Sequence, residues 1–242
     1  MSLALNLQSP KKPDEKFIKE MFNRMARRYD TFTLLTGFGQ AKRMRSETLA
    51  PLKKGMRVLD LGCGTGDLAL DAAKKIGADG EVVGLDFSEQ MLAIAKQKYE
   101  NLNLKSHFKL VLRKAEDLPL DDRPFDLVVS GFVLRNLREN IDRILQGVRD
   151  SLKEDGQISF LDLTEPKNPV LGFIFRLYMM TFVGLYGALL FGKDYPIPYL
   201  PDSARRFYKA NEFARLLERA GFRNITKRSF ILGSVTLYRA AV

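Results

Sequence analysis

Among its 242 residues the chain has one cysteine, one histidine and no tryptophan. A single thiol, Cys63, can neither close an internal disulfide nor build a multi-cysteine metal site. With His107 as the only imidazole, His-rich zinc or iron centres are also excluded, a His-centred triad is not expected, and neither is a metal. What is present is ordinary for a globular protein: 45% hydrophobic and 28% charged residues, in a length that allows one large domain or two small ones. The net charge of +10 points to a polyanion or an anionic membrane surface as a partner. That charge is concentrated: residues 1–57 hold thirteen Lys/Arg and five Asp/Glu, a net +8. Met1–Pro10 carries no basic residue ahead of its leucines and no apolar run long enough for a secretory signal, so none is expected.

The hydrophobic pattern predicts helices over Lys16–Tyr29 and Ala41–Ala50, then a change of texture at Met56. From there strands and helices alternate: strand Arg57–Leu61, helix Asp67–Ile76, strand Glu81–Leu85, helix Glu89–Tyr99, strands His107–Leu112 and Phe125–Ser130, helix Arg138–Leu152, a turn at Asp155-Gly156, and strand Gln157–Leu163. Continuous apolar strands in such alternation imply a parallel sheet covered on both faces. After helix Asn211–Ala220, strands Ile225–Leu232 and Ser234–Ala240 follow with only a turn at Gly233 between them, so one edge strand should be antiparallel. Val170–Gly192 is 23 residues with Arg176 as its only charge, long enough to span a bilayer. Its four glycines and its place inside an α/β pattern favour a buried or surface-embedded helical lid.

The strongest motif is VLDLGCGTGDL, Val58–Leu68. A strand delivers Asp60, Gly62, Gly64 and Gly66 line the turn, and a helix begins, which lets backbone amides press against a ligand. The spacing is G-x-G-x-G, not the dinucleotide G-x-G-x-x-G. Asp86, at the end of the next strand, faces the same crevice and can accept hydrogen bonds from ribose hydroxyls.

Together these features resemble the class I S-adenosylmethionine-dependent methyltransferases. MFNRMARRYD (Met21–Asp30), TGFG (Thr36–Gly39), GFVLRN (Gly131–Asn136), LDLTEP (Leu161–Pro166), YLPDSARRF (Tyr199–Phe207) and ANEFARLLERAGF (Ala210–Phe222) are similar to signatures of the ubiquinone/menaquinone biosynthesis C-methyltransferases, from about Phe17 to Tyr238. The resemblance implies a Rossmann-like seven-stranded sheet of order 3-2-1-4-5-7-6 with strand 7 antiparallel. It implies a helical N-terminal cap over residues 1–50 and a cofactor-binding domain over 51–242, with a lid insertion at about 166–205.

It further implies that Asp60, Gly62, Gly64, Thr65 and Gly66 cradle the methionine part of S-adenosyl-L-methionine. Asp86 then holds the ribose, Phe87 flanks the adenine, and Lys114, Ala115 and Gly131 help close the pocket. A lysine cannot accept a hydrogen bond from the adenine amino group, so that contact is expected from the backbone of Lys114 and Ala115. The implied reaction is methylation of a ring carbon of a polyprenylated quinol. Carbon is nucleophilic there only when a ring oxygen ionises, so Arg135 is expected to stabilise the phenolate and Asn136 to orient a water or the second ring oxygen. A salt bridge at a strand end is the plain structural alternative for Arg135. Tyr29, Asp30 and Asp162 are further pocket candidates, and His107 is expected to be structural.

The expected partners are a lipid quinol and a membrane surface met by the basic N-terminal segment, with a cytoplasmic location, peripheral at the inner face; a homodimer is left open. An RNA methyltransferase would suit the charge. Its usual nucleophilic cysteine is lacking, since Cys63 lies inside the glycine loop, and so is the Asn/Asp-Pro-Pro-aromatic tetrad, so no nucleic acid is expected. Methylation of another hydrophobic small molecule, or a non-catalytic cofactor-binding subunit, are the remaining alternatives.

Overall fold

A computed structural model describes residues 15–37, 39–102, 104–120, 123–192 and 195–242. Met1–Pro10 and Phe38 of the TGFG segment lie outside the described residues.

Seven strands form one sheet: β1 (Arg57–Leu61), β2 (Glu81–Asp86), β3 (His107–Leu112), β4 (Phe125–Gly131), β5 (Leu152–Leu163), β6 (Arg223–Phe230) and β7 (Val235–Ala241). The order is β3-β2-β1-β4-β5-β7-β6. β1 through β5 pair in parallel, whereas β7 enters antiparallel between β5 and β6. This is the sheet that the sequence resemblance implies. β1 is entirely buried after its first residue and β2 likewise, as strands with helices on both faces must be. One core cluster holds Leu59, Val83, Phe125, Phe160 and Tyr238, and the other holds Val58, Ala69, Ile76, Val82 and Val129.

The helices are α1 (Glu15–Met25), α2 (Tyr29–Thr36), α3 (Ala41–Thr48), α4 (Asp67–Ile76), α5 (Glu89–Glu100), α6 (Ile141–Asp150), α7 (Pro169–Phe191), α8 (Tyr199–Arg206) and α9 (Ala210–Arg219). Three elements differ from the sequence expectation. The helix expected over Lys16–Tyr29 breaks at a 3-10 turn, Ala26–Arg28, and restarts as α2. The helix expected over Arg138–Leu152 opens as a 3-10 segment, Leu134–Asn140, before α6. The turn expected at Asp155-Gly156 lies within β5, where Phe125 pairs with Leu152 but Leu127 with Gln157, so the residues between them bulge out of the ladder. A Cβ on Gly156 would come within 2.9 Å of Leu152 and of the Lys153 carbonyl, so glycine is needed for the bulge rather than for a hairpin.

α1, α2 and α7 pack into a third cluster around Met21, Met25, Phe32, Met179, Val183 and Tyr195. This cluster stands over the carboxyl ends of β1 and β4, where the strand order reverses and an open α/β sheet leaves its crevice.

Candidate active site

A cavity of about 630 Å³ occupies that crevice and runs from the glycine loop to the α1–α2–α7 cluster, within the range usual for small-molecule sites. Every residue singled out from the sequence for cofactor or catalysis lines it except Gly66, which caps α4, and Asp162, which is fully buried behind the lining.

The three loop glycines all have positive φ, for different reasons. A Cβ on Gly62 would fall 2.6 Å from both methyls of Val133, and one on Gly66 would fall 2.9 Å from the Ala95 Cβ. At Gly64 a Cβ would meet nothing within 4 Å, because that face opens on the cavity. Gly62→Ala is therefore expected to destabilise the fold by about 2 kcal/mol or more. Gly64→Ala should cost only the backbone strain of a left-handed alanine, about 1 kcal/mol, with no added clash, while weakening S-adenosyl-L-methionine by about tenfold or more. Parallel melts and titration calorimetry separate the two; equal loss of stability in both variants would refute the distinction.

Asp60 is 1% exposed, and neither carboxylate oxygen has a hydrogen-bond partner among the described residues. Burial, reinforced by Asp86 and only partly offset by the Ala69 amide, pushes its pKa up to about 8. Asp86 accepts from the Gly64 amide at 2.8 Å and the Ser88 amide at 2.9 Å, one bond to each oxygen. Burial raises its pKa too, against those amides. Each of its oxygens keeps a lone pair for a ligand hydroxyl.

Lys114 carries little of the pocket by itself. Its amide donates to Asp117, its carbonyl accepts from the Asp117 amide, and its Nζ pairs with Glu15 of α1 at 2.8 Å. Both backbone polar groups of Lys114 are thereby engaged with Asp117. Phe87 stands edge-on to Phe22 of α1, with ring centroids 6.4 Å apart. A Cβ on Gly131 would meet only Leu68, at 3.7 Å, so glycine is not sterically required there.

At the other end of the cavity Arg135 is buried and forms an ion pair with Asp162: Nη1 lies 2.8 Å from Oδ1, and the Arg135 amide donates to Oδ2 at 2.9 Å. The salt-bridge reading of Arg135 is thus realised, but it does not exhaust the guanidinium. Nη1 also donates to the Phe132 carbonyl, while the buried Nε has no partner among the described residues. Burial opposes the charge of Arg135, but the Asp162 carboxylate, through its charge and its hydrogen bond, outweighs it and holds the pKa above its ordinary value. Phe132 itself sits at φ 63, a conformation bulky side chains rarely adopt; this turns its carbonyl onto Arg135. Asn136 accepts through Oδ1 from the Tyr199 hydroxyl at 2.9 Å. Burial pushes Tyr199 up to about 12 and raises Tyr29 as well, so both stay neutral and serve as donors rather than bases.

Asp30 takes a role that no sequence pattern showed. It accepts from the Thr65 hydroxyl at 2.6 Å and pairs with Lys98 at 2.6 Å, clamping α2 onto the glycine loop. Ser88 makes a matching contact to Asn23 of α1, 2.6 Å between side-chain oxygens. These partners lie 35 and 65 residues apart in the chain, beyond any local signal. His107 begins β3 on the surface, away from the carboxyl ends.

The residues fit the S-adenosyl-L-methionine that the resemblance implies. An unpaired buried carboxylate suits its ammonium, the open face of Gly64 leaves room for its backbone-hugging tail, and Asp86 has acceptors to spare for two ribose hydroxyls.

Comparison with known proteins agrees with this geometry. The model of the ubiE/COQ5 methyltransferase family matches residues 10–241. A demethylmenaquinone methyltransferase of Lactobacillus johnsonii is 32% identical over 98% of this chain and 97% of its own length. One from Bacillus mycoides is 34% identical over 93% of this chain and 94% of its own. Among solved structures, a SAM-dependent methyltransferase from Aquifex aeolicus superposes with a TM-score of 0.60 at 22% identity, over 82% of this chain and 89% of that one.

Proposed function

The chain belongs to the ubiE/COQ5 methyltransferase family and is an S-adenosyl-L-methionine-dependent methyltransferase, and on that premise we propose that it methylates a ring carbon of a polyprenylated naphthoquinol. The relatives named demethylmenaquinone methyltransferase favour the naphthoquinol ring over a benzoquinol. The observation that carries the reading is the continuity of the cavity. One end is the polar glycine loop, the other is lined by Phe175, Tyr178, Met179 and Val183 of α7, and Arg135 stands between them. A charged cofactor and an apolar acceptor can therefore meet beside a fixed guanidinium.

When bound, S-adenosyl-L-methionine supplies an electrophilic methyl on a positively charged sulfur. The chain's residues do the remainder. Asp60 holds the cationic amino-acid end and Asp86 the ribose, which fixes the direction in which the methyl points. Arg135, whose side chain lines the cavity, would stabilise the quinol oxygen as its proton passes to solvent, and the oxyanion so formed donates electron density onto the adjacent ring carbon. Asn136, itself oriented by Tyr199, can donate through its amide to the second ring oxygen. The aromatic cluster above, with Phe32 against Phe191 and Tyr195, excludes water from a reaction that hydrolysis would otherwise compete with.

The test is methyl transfer from labelled S-adenosyl-L-methionine to reduced demethylmenaquinol beside a reduced benzoquinol analogue. Transfer to the naphthoquinol, dependent on its reduction, is expected. No transfer to either quinol by protein that binds the cofactor would refute the reading.

A further inference from the structure

α7 is built inside out. Beside Met179 and Val183 its packed face carries small residues: a Cβ on Gly184 would come within 2.4 Å of Ile197, and one on Gly187 within 2.2 Å of the Tyr195 ring. Its bulky apolar residues face outward, with Phe173 60%, Leu177 53%, Leu185 54% and Leu189 79% exposed. A helix folded against a protein core shows the reverse.

The outward stripe is kept straight by a π turn at Met179–Val183. The extra residue sets the following turn back by about 100°, which returns Leu185 and Leu189 to the line of Phe173 and Leu177. A third stripe, including Leu171, Phe175 and Tyr178, lines the cavity. The helix is thus a wall between the cavity and the exterior.

Its 23 residues and mean hydropathy of 1.6 would suffice to cross a bilayer, but it is fastened to the protein along its length. Tyr178 donates to the Thr36 carbonyl at 3.1 Å, Arg28 donates to the Leu190 carbonyl, and Gly184 and Gly187 are wedged against Ile197 and Tyr195. Crossing would break all of these contacts. Lying in the surface breaks none and covers the apolar stripe.

The charges suit a lipid surface. Exposed Lys167 stands just before the helix, and Arg27 and Arg28 stand at its far end, so cations flank the apolar stripe at both limits. Two of the basic residues of α1 are committed within the protein: Lys19 pairs with Glu89, and Arg24 with Glu20.

We infer that α7 is a docking helix that lies in the plane of an anionic bilayer, with Phe173, Leu177, Leu185 and Leu189 among the acyl chains. The cavity wall on its inner side then faces the source of a lipid-borne acceptor. This last point rests on the quinol reading; the docking itself does not. The apolar part of the contact is thereby placed on α7, with Arg27 and Arg28 of the basic N-terminal segment at its edge.

The absence of tryptophan makes the test direct, since Leu185→Trp adds a sole indole to the outward stripe. On phosphatidylglycerol-containing vesicles its emission is expected to move to the blue and to be quenched by lipid brominated on its acyl chains. Phe173→Glu/Leu189→Glu should lower cosedimentation of the full chain with these vesicles by about tenfold or more. Neither residue lines the cavity, so methyl transfer to a short-tailed quinol in solution should stay at the wild-type rate. Emission unchanged by vesicles, or a blue shift that needs only higher protein concentration and marks a second copy on this face, would overturn the proposal. Docking without transfer to any quinol would instead leave α7 as inferred and refute the quinol reading.

Discussion

Arg135→Ala is expected to abolish methyl transfer, but it should also cost about 3–5 kcal/mol of stability, because it strands a buried carboxylate. Asp162 is 0% exposed and spends both oxygens on Arg135 and a third bond on the Leu163 amide. Loss of activity in that variant alone would therefore not separate chemistry from collapse. The informative pair is Arg135→Lys and the double variant Arg135→Gln/Asp162→Asn. Lysine keeps a cation beside Asp162 but loses the planar, several-donor fork of the guanidinium. The double variant replaces the ion pair by a neutral one of similar shape. Both are expected to fold and to bind S-adenosyl-L-methionine near wild-type affinity, with the rate of transfer to quinol reduced by about 10²–10³-fold, as for loss of a donor to a developing oxyanion. A folded double variant that turns over within about threefold of wild type would reduce Arg135 to a strut.

The second large effect concerns Asp60 and pH. Its pKa of about 8 in the ligand-free protein lies well above the 3.8 of an ordinary aspartate. The folded state therefore holds this proton more tightly than the unfolded chain does, and stability falls as pH rises from about 4 to about 8. Binding a cation reverses the preference, since the ionised carboxylate pairs with the ligand's ammonium. Affinity for S-adenosyl-L-methionine should accordingly rise with pH towards about 8, with a proton released below that point, and decline above it as the free ligand's α-amino group loses its charge. Titration calorimetry in buffers of different ionisation enthalpy counts the proton. Asp60→Asn should raise the melting temperature of the ligand-free protein at pH 8.5, remove the rise of affinity with pH and weaken binding by about tenfold or more. Affinity that does not rise between pH 6 and about 8 in the wild type would refute this account of Asp60.

The clamp at Asp30 gives a smaller effect of a different kind. Asp30→Asn weakens the attachment of α2 to the glycine loop through Thr65 and Lys98. Cofactor release should be faster by a few-fold, a half-exposed ion pair being worth about 1 kcal/mol or less. Stopped-flow displacement measures it, and an unchanged release rate would confine the clamp to packing.

The chain's sequence was sufficient for whatever depends on neighbours within a few residues. Strand–glycine loop–helix and the Ser88 cap of α5, whose hydroxyl accepts the Met91 amide, follow from local backbone requirements. Buried apolar strands follow from composition over five or six residues, and β1, β3 and α4 lie where the pattern predicts them. The tail hairpin without a helix between its strands already required an antiparallel member in the sheet. The tertiary structure decided what joins distant segments. The Arg135–Asp162 pair spans 27 residues, and Asp30 meets Thr65 across 35; each needs the crevice to exist before its partners are neighbours. The left-handed Phe132, whose carbonyl accepts from Arg135, and the bulge at Gly156, set by the register of β5 against β4, are not anticipated by local propensity. In α7, apolar residues surround the whole helix, so periodicity gives no face. Only the packing of Gly184 and Gly187 against Ile197 and Tyr195 determined which side is inner, and a helix with bulky residues outward is settled by its partners rather than by its own pattern.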